Sequence, residues 1–101
     1  VVRQVLASNL KIPDEIQNIL AHDRNPLIRA AIAANPSLVE KGQMYMAKDR
    51  SKEVLLALAA NPSIGSDVQK RLSKIPLPEV IKKLREHPNL DIMLKIELDK
   101  K

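Results

Sequence analysis

The chain has 101 residues, seventeen basic and twelve acidic, for a formal net charge of +5, and 45% of them are apolar. That length suits one domain, 1–101, with an aliphatic core, since Tyr45 is the single aromatic residue. The lack of cysteine excludes disulfides, thiolate metal sites and a cysteine nucleophile, and two glycines are few for a sheet with tight hairpins.

No apolar run is long enough for a membrane span, so no membrane insertion is expected, and a cytoplasmic setting fits the absence of cysteine. The chain begins VVRQVL, without Met and inside an apolar pattern, and reads as a piece of a longer protein.

In chain order the sequence repeats every 26 residues. AIAANPSL at 31–38 returns as ALAANPSI at 57–64, and four rows (1–26, 27–52, 53–78, 79–101) align without insertion. The second column reads Val2, Ile28, Val54, Val80; the sixth Leu6, Ile32, Leu58, Leu84; the ninth Asn9, Asn35, Asn61, His87; the twentieth Leu20, Met46, Leu72, Leu98.

Each row is expected to form two short helices. In row one the first helix covers the opening eight or nine residues, and DEIQNILA then places Ile16, Ile19 and Leu20 on one face of the second. In row two Asn25 suits a cap with Pro26 at the first helical position, where a missing N–H costs nothing. Ile28, Ala31 and Ile32 make a one-sided stripe, and Pro36 stops the helix. Ser37-Leu-Val-Glu40 has the form of a capping box for the second helix. Rows three and four repeat the plan, with Ser51 and Pro78 before the first helices and Ser63 and Asn89 before the second. The first helices are short enough to be partly 3₁₀.

The small residues Ala30, Ala31, Ala33, Ala34, Ala57, Ala59 and Ala60 keep the first helices thin enough to stack, so that successive pairs build one continuous core. Ala31→Leu or Ala57→Leu is accordingly expected to overpack the stack by roughly 1–3 kcal/mol.

At Val2-Arg3, Ile28-Arg29, the Ala-Ala-Asn-Pro phrases at 33–36 and 59–62, and Asp23 and Asp49, the sequence resembles the leucine-rich repeat variant family, a short-period relative of HEAT-like repeats. The resemblance implies an all-α, right-handed α-solenoid of four two-helix repeats, α with some 3₁₀ and no strands. It implies no common activity. The period of 26 is longer than the family's usual unit. In HEAT-like repeats an Asp and an Arg six residues on often form an inter-repeat ladder. Asp23 and Arg29 keep that spacing, whereas Asp49 meets Leu55 and Ile75 meets Ile81, leaving one expected rung. The cysteines that bind an iron–sulfur cluster in some members are missing, so no cofactor and no metal are expected.

Catalytic motifs are absent. His22 and His87 stand in different columns, and Asp14-Glu15 falls in the first turn of a helix, where negative charge is favoured. The chain is therefore read as a non-enzyme. Asn9, Asn35 and Asn61 are read as structural, their amides meeting backbone groups at the bend between helices. Gln17, Gln43 and Gln69, followed by Lys95, form a column on the expected polar side of the second helices, either a solvated face or a concave binding surface.

Charge concentrates in row two, which has five basic and two acidic residues. Arg24, Lys48, Arg50, Lys52 and Lys74 are read as a ridge along one edge. They either complement helix C-termini or meet phosphates or an acidic protein. At the chain ends Val1, Val2, Val5 and Leu6 lack a preceding row, and the last helix carries apolar residues around much of its circumference (Ile92, Met93, Leu94, Ile96, Leu98). The expected function is a protein–protein interaction scaffold whose partner is another protein or another domain of the same chain. The alternative is a nucleic-acid-binding repeat domain using the basic ridge, and a third reading is a docking repeat attached to an enzyme outside this segment.

Overall fold

The computed structural model describes residues 2–100, and side chains from residue 5 to residue 100. Its described residues form eight α-helices and no strands: α1 (Val2–Ala7), α2 (Asp14–Ala21), α3 (Pro26–Ala33), α4 (Glu40–Met46), α5 (Lys52–Ala60), α6 (Ser66–Ser73), α7 (Pro78–Arg85) and α8 (Ile92–Asp99). The even-numbered helices begin at 14, 40, 66 and 92, and α3, α5 and α7 at 26, 52 and 78, so the 26-residue period of the sequence is also the period of helix initiation. The first helices pack in series, α1 on α3, α3 on α5 and α5 on α7, while α2, α4 and α6 lie against α3, α5 and α7. The body measures 43 × 21 × 18 Å.

Helix starts follow local chemistry at some positions and depart from it at others. Asn25 caps α3, its Oδ1 accepting from Leu27 N–H at 2.9 Å, with Pro26 at the first helical position. Ser51 precedes α5 without capping it; its hydroxyl donates to Glu53. The second helices begin later than the capping-box reading places them, with Val39, Gly65 and Asp91 at the caps of α4, α6 and α8. Ser37 is drawn away because its Oγ donates to the Leu10 carbonyl of the preceding row, and Asn89 reaches Pro62 O in the same way. Asp91 is a true cap that the sequence reading passed over. Its carboxylate accepts from Leu94 and Met93 N–H, and the Leu94 bond foremost holds its pKa below the ordinary carboxylate value.

The expected 3₁₀ content is not found as helix among the described residues. The i→i+3 pattern appears instead as single closing turns, such as Asn35 N to Ile32 O and Asn61 N to Leu58 O.

The core is aliphatic and continuous along the body, with Ile32, Val54, Leu58, Val68, Leu72, Val80 and Leu84 fully buried among residues of both helix sets. Of the three apolar residues expected on one face of α2, Leu20 is buried and Ile16 partly so, but Ile19 is 63% exposed. It lies on the outward side.

The alanines that set the close approach are Ala7, Ala33 and Ala59, each at 0% exposure, in one column of α1, α3 and α5. Ala31 and Ala57 are only partly buried. Ala59→Leu is therefore expected to cost more than Ala57→Leu, at about 3 kcal/mol against about 1 kcal/mol by thermal unfolding. Equal costs would show that the stack has slack at Ala59. Row four has Arg85 in this column, and its guanidinium donates to Leu98 O at the end of α8.

Candidate binding surfaces

Two ladders of side-chain amides join successive rows. Asn35 Nδ2 donates to Ala7 O and Asn9 O, both at 2.8 Å, while its Oδ1 accepts from Ser37 N–H at 2.9 Å. Asn61 does the same one row on, to Ala33 O and Asn35 O, and accepts from Ser63 N–H. His87 continues the column: Nε2 donates to Asn61 O at 2.7 Å and Nδ1 accepts from Asn89 N–H, which fixes the neutral ring with its proton on Nε2. Asn9, with no described row before it, keeps only the local part, accepting from Lys11 N–H.

The second ladder overturns the surface reading of the glutamines. Gln17, Gln43 and Gln69 are only 4%, 4% and 1% exposed. Gln17 Nε2 donates to Ile12 O and to Ser37 O of the next row, and its Oε1 accepts from Val39 N–H. Gln69 repeats this with Ile64 O, Asn89 O and Asp91 N–H, and Gln43 with Leu38 O and Ser63 O. The physical reason is that a primary amide holds two donors and an acceptor on a short stem, which suits a seam where two carbonyls and one N–H of adjacent bends converge. Lys95 occupies the same column in α8 and is exposed, with no following row described for it to join. These residues form no concave binding face. A signal was present: three identical amides among outward columns that vary from row to row.

The expected ion-pair rung also shifts. Arg29 pairs with Asp49 of its own row at 2.9 Å, and it crosses to the preceding row through the main chain, donating to Asp23 O and Arg24 O. The Asp23 carboxylate accepts from Asn25 N–H.

Nor do the basic residues make one ridge. Arg24, Lys48 and Arg50 converge on a depression of about 360 Å³ with His22 and Tyr45. Lys74 belongs instead to a depression of about 530 Å³ lined by Met44, Asp67, Lys70 and Arg71, two cations of which the sequence reading left out. Lys52 stands apart in an ion pair with Glu79, each hydrogen-bonded group stabilising the other's charged form, so that the lysine pKa is raised and the carboxylate pKa lowered.

An unanticipated feature lies between α2 and α4. An apolar-walled cleft of about 400 Å³ has Ala21, Leu38, Val39 and Gly42 in its walls, with Asp14 and Glu15 among the polar residues that line it. Gly42 stands where the other rows have Ile16, Val68 and Leu94. Leu38 lies over the gap, and a Cβ at Gly42 would meet its Cδ1 at 2.7 Å. Tyr45, 45% exposed, belongs both to this cleft and to the cationic depression. Its ring stacks on His22 at 4.5 Å between centroids, and His22 Nδ1 bonds Asn18 O at 2.8 Å.

At the ends of the body, Val1 and the Val2 side chain lie outside the described residues, while Val5 and Leu6 are exposed, as are Ile92, Met93 and Ile96 of α8. Leu94 and Leu98 face the core. Among the described residues no group of three or more His, Cys, Asp or Glu is placed to hold a metal ion, and no helix is long and apolar enough to cross a membrane. No family model, no curated protein and no solved structure matches the chain.

Proposed function

We propose that this chain is a non-catalytic protein-binding scaffold, a right-handed α-solenoid of four 26-residue, two-helix repeats of the leucine-rich-variant, HEAT-like kind, working in the cytoplasm. The observation that carries the reading is the fate of the repeated polar residues. The side chains of Asn35, Asn61, Gln17, Gln43 and Gln69 are engaged in bonds between rows, so these repeated columns hold a rod together. What the rod displays is the outward side of the second helices, where rows differ: the α2–α4 cleft with Tyr45, and the exposed Ile92, Met93 and Ile96. His87, one of the two histidines a catalytic reading would need, is fixed inside a ladder. Selection of a random dodecapeptide library displayed on phage tests the scaffold. Enrichment of sequence-related peptides is the expected result.

A second reading, nucleic-acid binding, is favoured by one specific observation, the stacked His22–Tyr45 pair beside Arg24, Lys48 and Arg50. It expects single-stranded DNA or RNA to bind with an affinity falling steeply with salt, on a log–log slope of about −2 or steeper if three phosphates are neutralised. Such binding, lost in Lys48→Glu with Arg50→Glu and accompanied by an unenriched peptide library, would replace the scaffold reading.

A further inference from the structure

The α2–α4 cleft and the cationic depression are one surface, since both are lined by Ala21 and Tyr45. Their chemistry differs along its length. The acidic residues Asp14 and Glu15 belong to the first turn of α2 and line the cleft; Arg24 follows the last turn of α2, Lys48 and Arg50 follow that of α4, and all three line the depression. None of these three cations makes an ion pair among the described residues, whereas Asp49 beside them is held by Arg29 and by Ser51 N–H. Between the two charged ends are the apolar walls given by Leu38, Val39 and Gly42, and a tyrosine ring held by its stack on His22. An exposed aromatic ring fixed before binding loses little conformational freedom when a partner covers it.

We infer that this surface docks a short extended segment of a partner protein. An apolar side chain enters the cleft against Tyr45, an acidic side chain lies over Lys48 and Arg50, and a basic side chain meets Asp14 and Glu15. The inference rests on the scaffold reading and names the chemistry of the partner. Charge complementarity sets the polarity of the occupant and helix geometry sets its length. Glu15 to His22 is seven residues of helix, about 10 Å, and the cations lie just past it, so an extended chain covers the distance in about four residues. Side chains at i, i+2 and i+4 share one face of an extended chain, so the basic, apolar and acidic groups of the partner stand two positions apart in that order. Lys41 also lines the cleft and leaves it one net negative charge, whereas the depression, with Arg24, Arg29, Lys48 and Arg50 against Asp23 and Asp49, keeps two net positive charges, so the cationic end is the stronger anchor.

The test is NMR titration of the ¹⁵N-labelled chain with the acetylated, amidated peptide Lys-Ser-Leu-Ser-Glu. Saturable shifts of amides within 14–24 and 38–50 are expected. Lys-Ser-Gly-Ser-Glu, lacking the apolar anchor, and Lys-Ser-Leu-Ser-Gln, lacking the carboxylate, should each bind at least about tenfold more weakly. The surface variants Lys48→Glu with Arg50→Glu should weaken Lys-Ser-Leu-Ser-Glu by a similar factor, Glu15→Lys by about threefold, and Lys74→Glu not at all. Unchanged spectra outside the site show that each variant is folded. Equal binding of the glycine peptide, or absence of saturable shifts, overturns the inference. So do shifts at these residues with oligo-dT and none with peptide. Peptides enriched from the phage library that shift residues elsewhere would remove this site while leaving the scaffold standing.

Discussion

Asn61→Ala is expected to destabilise the protein by about 3–5 kcal/mol, measured by urea unfolding. The amide gives two bonds to main-chain carbonyls of the preceding row, Ala33 O and Asn35 O at 2.9 Å each, and accepts one from Ser63 N–H. The residue is 1% exposed, so alanine strands two acceptors and a donor, each worth roughly 1–3 kcal/mol when buried and unsatisfied, with some relief where water reaches the Ser63 side. Domains of this size have a total stability of about 5–15 kcal/mol, so the loss is a large fraction of it. Asn61→Asp should be at least as damaging, because it sets a carboxylate oxygen against the same two carbonyls. The conservative control is His87→Asn, which keeps a donor for Asn61 O and an acceptor for Asn89 N–H and should remain within about 1 kcal/mol of the parent. An Asn61→Ala cost below about 1 kcal/mol would mean that the ladder is not what joins the rows.

The same ladder shows what the sequence can and cannot tell. The helical period was legible because 26-residue spacing is written in apolar columns, and apolar periodicity is the direct record of which face is buried. The asparagine column was legible because Asn before Pro at a bend has few other uses. The glutamine column was misread because Gln17, Gln43 and Gln69 belong to helices whose outward side is solvated, and hydropathy cannot tell a solvated amide from one bonded to a neighbouring row. Capping was misread for a related reason. Ser37 has the spacing of a capping box, but a carbonyl of the preceding row, Leu10 O, competes for its hydroxyl. Each of these errors is a local rule overridden by contact with an adjacent row.

The proposed binding surface was the least legible part. It depends on where rows differ, and on adjacency that no single row contains. His22 and Tyr45 belong to different rows and columns, and only stacking brings their rings to 4.5 Å. The cleft needs Gly42 in a column that is otherwise aliphatic, which reads in sequence as a weak point of a helix and in three dimensions as an opening. Even the basic residues were legible only as a total. Lys52 is withdrawn by Glu79, and Lys74 joins Lys70 and Arg71 in a separate cluster.

The second large effect concerns the core, where one column allows a controlled comparison. Leu6 and Leu58 occupy the same place in their rows, yet Leu58 is 0% exposed and Leu6 is 38% exposed. Leu58 lies in α5, which has α3 on one side and α7 on the other, so a cavity opened there has neighbours fixed by two rungs of the asparagine ladder and little room to collapse. Leu58→Ala should therefore fall in the upper part of the range for buried leucine, about 3–5 kcal/mol. Leu6→Ala removes a side chain already partly in water and should cost about 1 kcal/mol. Thermal or urea unfolding of the two variants measures the difference, which is the contribution of having a row on both sides. A cooperative transition in Leu58→Ala, shifted as a whole to lower denaturant, would show that the rows unfold together. Equal costs for the two leucines would mean that each row holds its own core, and that the ladders tie together units already stable alone.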